Sequence, residues 1–299
     1  KPEKISKPRL FRPADPVAQG MFAQLMREAG GNWNKFRELL KGKELIFFDY
    51  ETTGVDPSDG NMPYQIGAVK VVDGKVVDRF NVFFNPGRSI NGTYAGENGK
   101  DADGNPLTDE WLNGQIDAAA AHQQFADWAG QNPLLIAHNT GFDREVLERM
   151  LTNHGVEMNP AGYFDTMVLA RFMNKDDSKM PKQANLGALA EHFGFPMGDG
   201  WHKADVDSET TAKLFDALLA RAAEGDFGKA AFDIDKNQEQ FDKDFAEFQD
   251  KKLPEFLRKW DEYMAAKAVQ DAAAGKEVNV DELVNNLNPA PTVNPADVN

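Results

Sequence analysis

The hydrophobic and polar positions of this chain change period several times, and each change marks a predicted element. Residues 45–48 and 134–137 are short apolar runs, typical of strands that are buried on both faces. Residues 65–72 and 76–84 flank Asp73 and Gly74, a dipeptide that strongly favours a tight hairpin. These two runs therefore predict a pair of antiparallel strands.

Between the apolar runs, other segments repeat hydrophobic residues at helical spacing. They predict helices over residues 117–129, 144–153, 165–172, 186–193 and 207–223. In the first of these, we expect Ala119, Ala120, Phe125 and Trp128 to face inward. Residues 86–110 are rich in Gly, Asn and Asp and predict a long loop. Strands that feed helices, with one hairpin near the start, predict an α/β fold with a mixed sheet covered by helices on both faces.

The two ends of the chain have their own patterns. Near the N-terminus, an apolar face predicts a helix that ends at Gly30 and Gly31, and a second helix follows over residues 33–40. The members of that face are Val17, Met21, Phe22, Leu25 and Met26. After residue 224, an aromatic stripe at helical spacing predicts helices packed on their own domain, with Pro254 at the start of one. The stripe comprises Phe241, Phe245, Phe248, Leu253, Phe256, Leu257, Trp260 and Met264.

These patterns predict four parts of the chain. Residues 1–43 form a basic helical N-terminal extension, and residues 44–223 form the main domain. Residues 224–271 form an acidic amphipathic helical extension. Residues 272–299 are too polar and Pro-rich to pack, so we expect a disordered tail.

Charge and composition narrow the class of protein. The net charge of −15 divides into +6 for residues 1–43, −13 for residues 44–223 and −8 for the remainder. The basic segment is a candidate contact for nucleic acid or a partner, and a solvated face is the alternative. The chain has no cysteine, which rules out a disulfide or a thiolate metal site within it. No apolar run approaches the ~20 residues of a membrane span, so we expect a soluble, cytoplasmic protein without membrane contact.

Four short segments carry the candidate chemistry. They are Phe47-Phe48-Asp49-Tyr50-Glu51, His138-Asn139-Thr140-Gly141-Phe142-Asp143, Phe164-Asp165-Thr166 and His202-Lys203-Ala204-Asp205-Val206-Asp207. Asp49 and Glu51 are two positions apart on a predicted strand, so both side chains point to one face. Carboxylates grouped in this way repel one another unless cations are present. Two divalent cations, Mg²⁺ or Mn²⁺, would use such ligands to neutralise charge during phosphodiester hydrolysis.

These segments resemble the motifs of the DEDDh exonucleases, members of the DnaQ-like family, over residues 44–223. The resemblance implies an RNase H-like fold and an enzyme that removes nucleotides from 3′ ends. By the same resemblance, Asp49 bridges two cations, Glu51 and Asp207 complete one site, and Asp143 helps the other. His202 would be the general base, because its ordinary pKa near 6.5 is close to working pH. Asp205 does not match the family's His-x-Ala-x-x-Asp pattern and is left out.

The remaining candidate residues contact substrate or support the site. The substrate-binding set comprises Thr52, Thr53, Gly54, Gln65, His138 and Asn139. Gln65 stands where many relatives have Glu, and it keeps hydrogen-bonding capacity without the charge. A structural role is the alternative for His138 and Asn139. Asp165 is expected to cap a helix, Tyr94 is a candidate stacking residue by type alone, and His122, His154 and His192 are assigned to structure.

The leading hypothesis is a metal-dependent 3′–5′ exonuclease acting on single-stranded ends, with DNA favoured, in proofreading or repair beside a polymerase or another replication protein. The first alternative is an exoribonuclease that trims RNA. The second is a DnaQ-like fold that serves as a scaffold or binding subunit. An endonuclease or polynucleotidyl transferase of the wider group lacks support, because the pattern at His202 and Asp207 is an exonuclease pattern.

Overall fold

The computed structural model describes residues 8, 10–54, 61–197 and 202–275. The chain divides into two compact units. The larger unit comprises Ala14–Thr53 and Met62–Asp242, and the smaller comprises Lys1–Pro13, Gly54–Asn61 and Lys243–Asn299. Most of the predicted tail and most of the basic residues before Ala14 lie outside the described residues. Within the described part, no helix combines the length and the apolar character that a bilayer crossing requires.

The larger unit is built on a mixed sheet, as predicted. Its described strands are β1 Ala18–Gly20, β2 Leu45–Thr52, β3 Pro63–Val72, β4 Lys75–Asn85, β5 Ile116–Asp117, β6 Leu134–Ala137 and β7 Gly162–Asp165. Their order across the sheet is β1-β7-β6-β2-β3-β4-β5. Strand β2 is central, because it pairs in parallel with β6 and antiparallel with β3. The carboxyl ends of β2, β6 and β7 therefore meet at one edge, where open sheets place their sites.

Helices cover both faces of this sheet. The helices of the larger unit are α1 Met21–Ala29, α2 Trp33–Leu40, α3 Tyr94–Asn98, α4 Asp109–Asn113, α5 Ala118–Ala129, α6 Thr140–His154, α7 Thr166–Asp176, α8 Leu186–His192 and α9 Ala204–Gly225. Helices α10 Ile234–Glu247 and α11 Leu253–Ala273 follow them in the chain. Phe47 packs into the core beneath α1, α2, α7 and α9, whereas Ile46 and Phe48 pack into the core beneath α5 and α6. This two-sided burial explains why β2 begins as an uninterrupted apolar run.

The hairpin and the N-terminal helix stop are confirmed. Asp73 and Gly74 join β3 to β4 with φ angles of 49° and 75°, the left-handed pair that a tight hairpin turn needs. Gly30 caps α1 in the left-handed conformation. The predicted second helix, α2, is also present, and Asn32 caps it by accepting a hydrogen bond from the Lys35 amide.

The prediction of a helix starting near Val17 is wrong, because Ala18–Gly20 form strand β1 on the edge of the sheet. A Cβ atom at Gly20 would lie 2.3 Å from the Ala161 carbonyl oxygen, so the two strands approach too closely there for a side chain. The helix begins only at Met21, which is partly exposed. Residues 14–43 therefore add a strand and two helices to the larger unit.

Residues 86–110, predicted as a loop, contain helix α3 and the start of α4. They bury a small cluster consisting of Tyr64, Ile90, Ala95, Leu107 and Leu112. The apolar residues of this segment are too sparse to show a period, and they become a core only when β3 packs against them. Strand β7 was not predicted. Helix α5 turns its Ala118, Ala121, His122, Phe125, Ala126 and Ala129 face inward, so the expected burial of Ala119 and Ala120 is wrong.

The smaller unit contains the aromatic stripe from Phe245 onward. A π-helical turn, Phe248–Lys252, runs directly into α11, and Pro254 lies in the first turn of that helix, where its missing amide costs no hydrogen bond. Phe256 and Trp260 are buried, with ring centroids 5.8 Å apart. These contacts give the predicted helix an apolar face.

Candidate active site

Strand β2 positions the first two carboxylates. Asp49 pairs with Gly67 of β3 and Glu51 pairs with Gln65, so both acidic residues belong to one face of the sheet. A Cβ atom at Gly67 would lie 2.1 Å from the Ala204 carbonyl carbon. The first turn of α9 therefore rests directly on β3, and only glycine permits that approach. This contact brings the start of α9 beside Asp49 and Glu51.

Asp143 is hydrogen-bonded to the backbone of β2. It lies in the first turn of α6 and is almost fully buried. Its Oδ1 atom accepts a hydrogen bond of 3.0 Å from the Tyr50 amide, which lies between Asp49 and Glu51. A backbone hydrogen bond thus fixes the third carboxylate next to the other two.

The start of α9 supplies Asp207 and His202. Asp207 is buried in the first turn of the helix. His202 is exposed, lies two residues before the helix begins and has a φ angle of 58°. A non-glycine residue in the left-handed region is uncommon and often marks a functional position. Potential ligand atoms of Glu51, His202 and Asp207 all lie within 4.8 Å of one another. At that distance His202 is placed either for proton transfer or for metal ligation.

We call Asp49, Glu51, Asp143 and Asp207 the carboxylate cluster. Burial raises the pKa of Asp49, and Asp143, Asp207 and Glu51 raise it further. Burial, then Asp207 and Asp143, raises the pKa of Glu51 to about 8. Burial and Asp205 raise the pKa of Asp207 to about 7. Without cations, the cluster therefore opposes its own full ionisation near neutral pH.

The cluster has the donor set that a divalent cation prefers. All four members offer hard carboxylate oxygens, and Asp207 Oδ1 is buried without a hydrogen-bond partner among the described residues. Such an atom is costly unless a cation or another donor meets it. Burial lowers the pKa of His202, which favours a neutral imidazole able to accept a proton. The residues present therefore fit divalent metal ions and a general base.

Three of the predicted substrate-binding residues, Thr52, Thr53 and Gly54, lie at the carboxyl end of β2. The Thr53 amide donates to Met62 O at 2.9 Å, and Thr53 Oγ1 accepts from the Met62 amide at 3.1 Å. Thr52 precedes it and is half-buried, whereas Gly54 belongs to the smaller unit. Gln65 is buried, and its side-chain amide donates to Asn81 Oδ1 at 2.8 Å. Asn81 was not predicted and holds Gln65 opposite Glu51.

His138 serves the fold through both ring nitrogens. Nε2 donates to the Ala184 carbonyl oxygen at 2.8 Å, and Nδ1 pairs with Thr166 Oγ1 at the same distance. Burial lowers the pKa of His138 to about 4. Both ring nitrogens therefore have hydrogen-bond partners within the protein. Asn139, in the left-handed region at the start of α6, has an exposed side chain.

Asp165 caps α7, as predicted. Its carboxylate accepts hydrogen bonds from the Met167 and Val168 amides, and also from the Asn139 and Thr140 amides at the start of α6. The same carboxylate thus ties two helix starts together. Its role is structural, although burial still raises its pKa to about 7.

Two tyrosines lie near the carboxylate cluster. Tyr64 was not predicted from the sequence, and Tyr94 was named by residue type alone. Tyr64 is buried, and its pKa is raised by burial first and then by Glu51, Asp49 and Tyr94, which places it beside the cluster. Tyr94 makes an edge-to-face contact with the His202 ring at 5.5 Å between centroids. Only residue type pointed to Tyr94, and nothing in the local pattern distinguished Tyr64 from other strand tyrosines.

A mixed sheet with a carboxylate cluster and a histidine at the carboxyl end of its central strand defines a metal-dependent phosphodiesterase of the RNase H-like class. The RNase T family model, described as "Exonuclease", matches residues 46–215, more than half of the chain. The chain therefore belongs to this DnaQ-like family of exonucleases. The predicted fold and family are confirmed, and the family uses divalent metal ions.

Individual relatives match part of this chain. A PolC-type DNA polymerase III from Clostridium perfringens is 32% identical over 172 residues, which are 57% of this chain and 11% of the relative. The corresponding protein of Bacillus subtilis is 30% identical over 195 residues, 64% of this chain and 12% of the relative. The chain thus spans about a tenth of the length of these relatives.

Solved structures show the same partial likeness. Exonuclease I of E. coli, in complex with a dT13 oligonucleotide, is 16% identical with a TM-score of 0.49, covering 61% of this chain and 42% of that chain. Exonuclease X, in complex with 5′ overhanging duplex DNA, is 22% identical with a TM-score of 0.42, covering 63% of this chain and 99% of that chain.

Proposed function

We propose that this chain hydrolyses phosphodiester bonds at the 3′ ends of single-stranded nucleic acid, with DNA preferred to RNA, and releases nucleoside 5′-monophosphates. The observation that carries the proposal is the carboxylate cluster with His202 at its margin. Hydrolysis of this bond needs charge neutralisation and a proton acceptor, and the site holds groups suited to both. A role limited to scaffolding would not require four mutually repelling acids.

The cluster suits two divalent cations, Mg²⁺ or Mn²⁺. Asp49 feels the charge of the other three members, which supports its assignment as the ligand shared by both sites. Glu51 and Asp207 would complete one site beside His202, and Asp143 would serve the second. When bound, the cations would stabilise the charge on the attacking and leaving oxygens and acidify the attacking water.

His202 would take the proton from that water. Its position at the margin of the cluster, exposed to solvent, lets it receive a proton there and release it afterwards. Thr52, Thr53, Gly54, Gln65 and Asn139 are proposed to bind the terminal nucleotide. His138 would act indirectly, by fixing the β6–α7 region through its two hydrogen bonds.

The preference for DNA and a place in replication rest on the relatives. The Clostridium and Bacillus proteins are named as DNA polymerases, and they match 57% and 64% of this chain. We therefore propose that this chain works beside a polymerase or another replication protein, in proofreading or repair, in the cytoplasm. RNA trimming is the second candidate function.

One assay tests the reaction and the substrate together. Purified protein is incubated with 3′- or 5′-labelled DNA and RNA oligonucleotides in Mg²⁺, in Mn²⁺ and in chelator. We expect mononucleotides from the 3′-labelled strand, a ladder of shortened products from the 5′-labelled strand, faster cleavage of DNA, and no cleavage in chelator. Internal cuts or metal-independent cleavage would contradict the proposal, and faster cleavage of RNA would replace the substrate assignment.

The control variant comes from the same helix turn. Asp205→Ala changes an acidic residue two positions from Asp207 that lies outside the carboxylate cluster, and it should keep most of the activity. Asp207→Ala should remove it. Equal losses in both variants would show that negative charge near α9, rather than a specific ligand, supports the reaction.

A further inference from the structure

The Tyr94 side chain lies against the candidate general base. The Tyr94 and His202 rings are 5.5 Å apart with an interplanar angle of 80°, an edge-to-face arrangement. Tyr94 is 53% exposed, so the contact lies at the surface of the protein. The contact joins two segments that are more than 100 residues apart in the chain.

The backbone that carries Tyr94 is held firmly. Thr93 caps α3, because its Oγ1 accepts from the Gly96 amide and donates to the Ile90 carbonyl oxygen at 2.6 Å. Cβ atoms at Gly96 and Gly99 would lie 2.3 Å from the Ile90 oxygen and 2.4 Å from the Ala95 oxygen. The segment is therefore packed too tightly for side chains at these glycines.

A second set of bonds fixes the start of this segment. The Asp109 carboxylate accepts hydrogen bonds from the Ser89 hydroxyl, the Ile90 amide and the Asn91 side-chain amide, at 2.6, 2.7 and 3.0 Å. Ala95 is buried immediately after Tyr94. Tyr94 therefore lies on a backbone segment that is fixed by hydrogen bonds and close packing, so its side chain can restrain the His202 ring.

His202 benefits from such a restraint. It lies outside α9 with a φ angle in the left-handed region, and its side chain is exposed. Its ring must nevertheless point at Glu51 and Asp207, since a catalytic base works only within hydrogen-bond reach of the proton it removes. We propose that Tyr94 is a positioning residue that holds the His202 ring toward the carboxylate cluster, an inference that rests on the proposed exonuclease function.

If Tyr94 positions His202, removing its ring should change kcat and leave KM unaltered. An edge-to-face contact favours one ring orientation by a factor of about 2 to 12. Tyr94→Leu removes the ring and should lower kcat by that factor, with KM unchanged within about twofold. Tyr94→Phe keeps the ring and should retain most of the kcat. Val77→Ala, at an exposed strand position remote in sequence from the site, is the control for a generic surface change.

A double-mutant cycle shows whether Tyr94 acts through His202. In the His202→Ala background, Tyr94→Leu should have no further effect on kcat, because the ring that it positions is already absent. Multiplicative losses would overturn the proposal. So would a raised KM with unchanged kcat in Tyr94→Leu, since that result assigns Tyr94 to stacking on a nucleotide base.

A measurement without turnover keeps the test independent of the proposed function. The chain has five histidines, and the ring-proton resonances of His202 are assigned by their loss in His202→Ala. In metal-free protein, these resonances should shift in Tyr94→Leu and stay near their original positions in Tyr94→Phe. Unshifted resonances in Tyr94→Leu overturn the positioning role, whereas inactive wild-type protein with shifted resonances overturns the exonuclease proposal and leaves the contact established.

Discussion

Two groups of buried polar side chains lie at the same edge of the sheet and differ in how well the protein satisfies them. The hydrogen-bonded group, consisting of His138, Thr140, Asp165 and Thr166, is supplied with partners from the protein itself. The Asp165 carboxylate receives four backbone amides. Thr140 Oγ1 donates to the Phe164 carbonyl oxygen at 2.8 Å.

The carboxylate cluster differs because its acids face one another and receive few hydrogen bonds from the protein. Asp143 receives the Tyr50 amide, yet Asp207 Oδ1 is buried without a partner in the described part of the chain. Asp143, Asp207 and Glu51 raise the pKa of Asp49, and Asp207 and Asp143 also raise that of Glu51. Mutually repelling acids with few donors are stabilised when cations bind, which supports the proposed role of the cluster, whereas the hydrogen-bonded group needs no such ligand.

The largest expected effect separates the two groups by activity. Asp49→Ala removes the ligand assigned to both cations and should lower kcat by roughly 10⁴-fold or more, about 5.5 kcal/mol, in steady-state assays on a 3′-labelled oligonucleotide. Its fold should remain intact. Substantial activity in Asp49→Ala would remove the carboxylate cluster from the mechanism.

The two histidines should differ almost as much. His202→Ala should lower kcat by roughly 10²–10⁴-fold while metal binding is largely kept, because only proton transfer is lost. His138→Asn should act mainly on stability, since its ring is bonded within the fold. Single-turnover rates and thermal melting of both variants separate these effects, and the reverse pattern would exchange the two roles.

The third prediction concerns Asp165. Asp165→Ala leaves several helix-start amides without an acceptor and should lower the free energy of unfolding by about 3 kcal/mol. Urea unfolding followed by circular dichroism measures this loss. Asp49→Asn is the matched comparison, because it reduces repulsion and should not lower the stability of metal-free protein. If Asp165→Ala melts like wild type, the capping role is wrong.

The fourth prediction tests whether a divalent cation that binds the carboxylate cluster stabilises the folded chain. Mn²⁺ at about 100 times its dissociation constant should raise the free energy of unfolding by about 2.7 kcal/mol, because only the folded chain presents the cluster. Asp49→Asn should lose most of this increase, and Asp165→Asn should keep it. An equal response of both variants would place the cation elsewhere.

The smallest expected effect is a pH dependence of stability. The pKa of His138 is about 4 in the folded chain and about 6.5 when unfolded, so its neutral form is favoured by folding. Its contribution is complete above pH 6.5 and is lost as the pH falls through 4. His138→Asn should flatten this part of the stability profile in urea titrations. A profile that matches wild type would assign the dependence to another group.

Spacing within short segments predicted the acidic part of the site from sequence alone. Asp49 and Glu51 share a face because strands alternate, and Asp143 and Asp207 open helices at the same edge of the sheet. The hairpin at Asp73 was equally readable, since its turn chemistry is local. Such features depend on neighbours within a few residues, and a sequence displays those neighbours directly.

Long-range packing decided the rest. Residues 18–20 became a strand because β7 was available beside them, although their apolar pattern favoured a helix. His138 matched a substrate-binding motif, and only its bonds to Thr166 and Ala184 showed that its ring serves the fold. The Tyr94–His202 contact likewise joins a segment without periodicity to the start of α9. The sequence by itself determined which groups could do chemistry, whereas only the tertiary structure decided which were already satisfied, because hydrogen-bond partners come from residues distant in the chain.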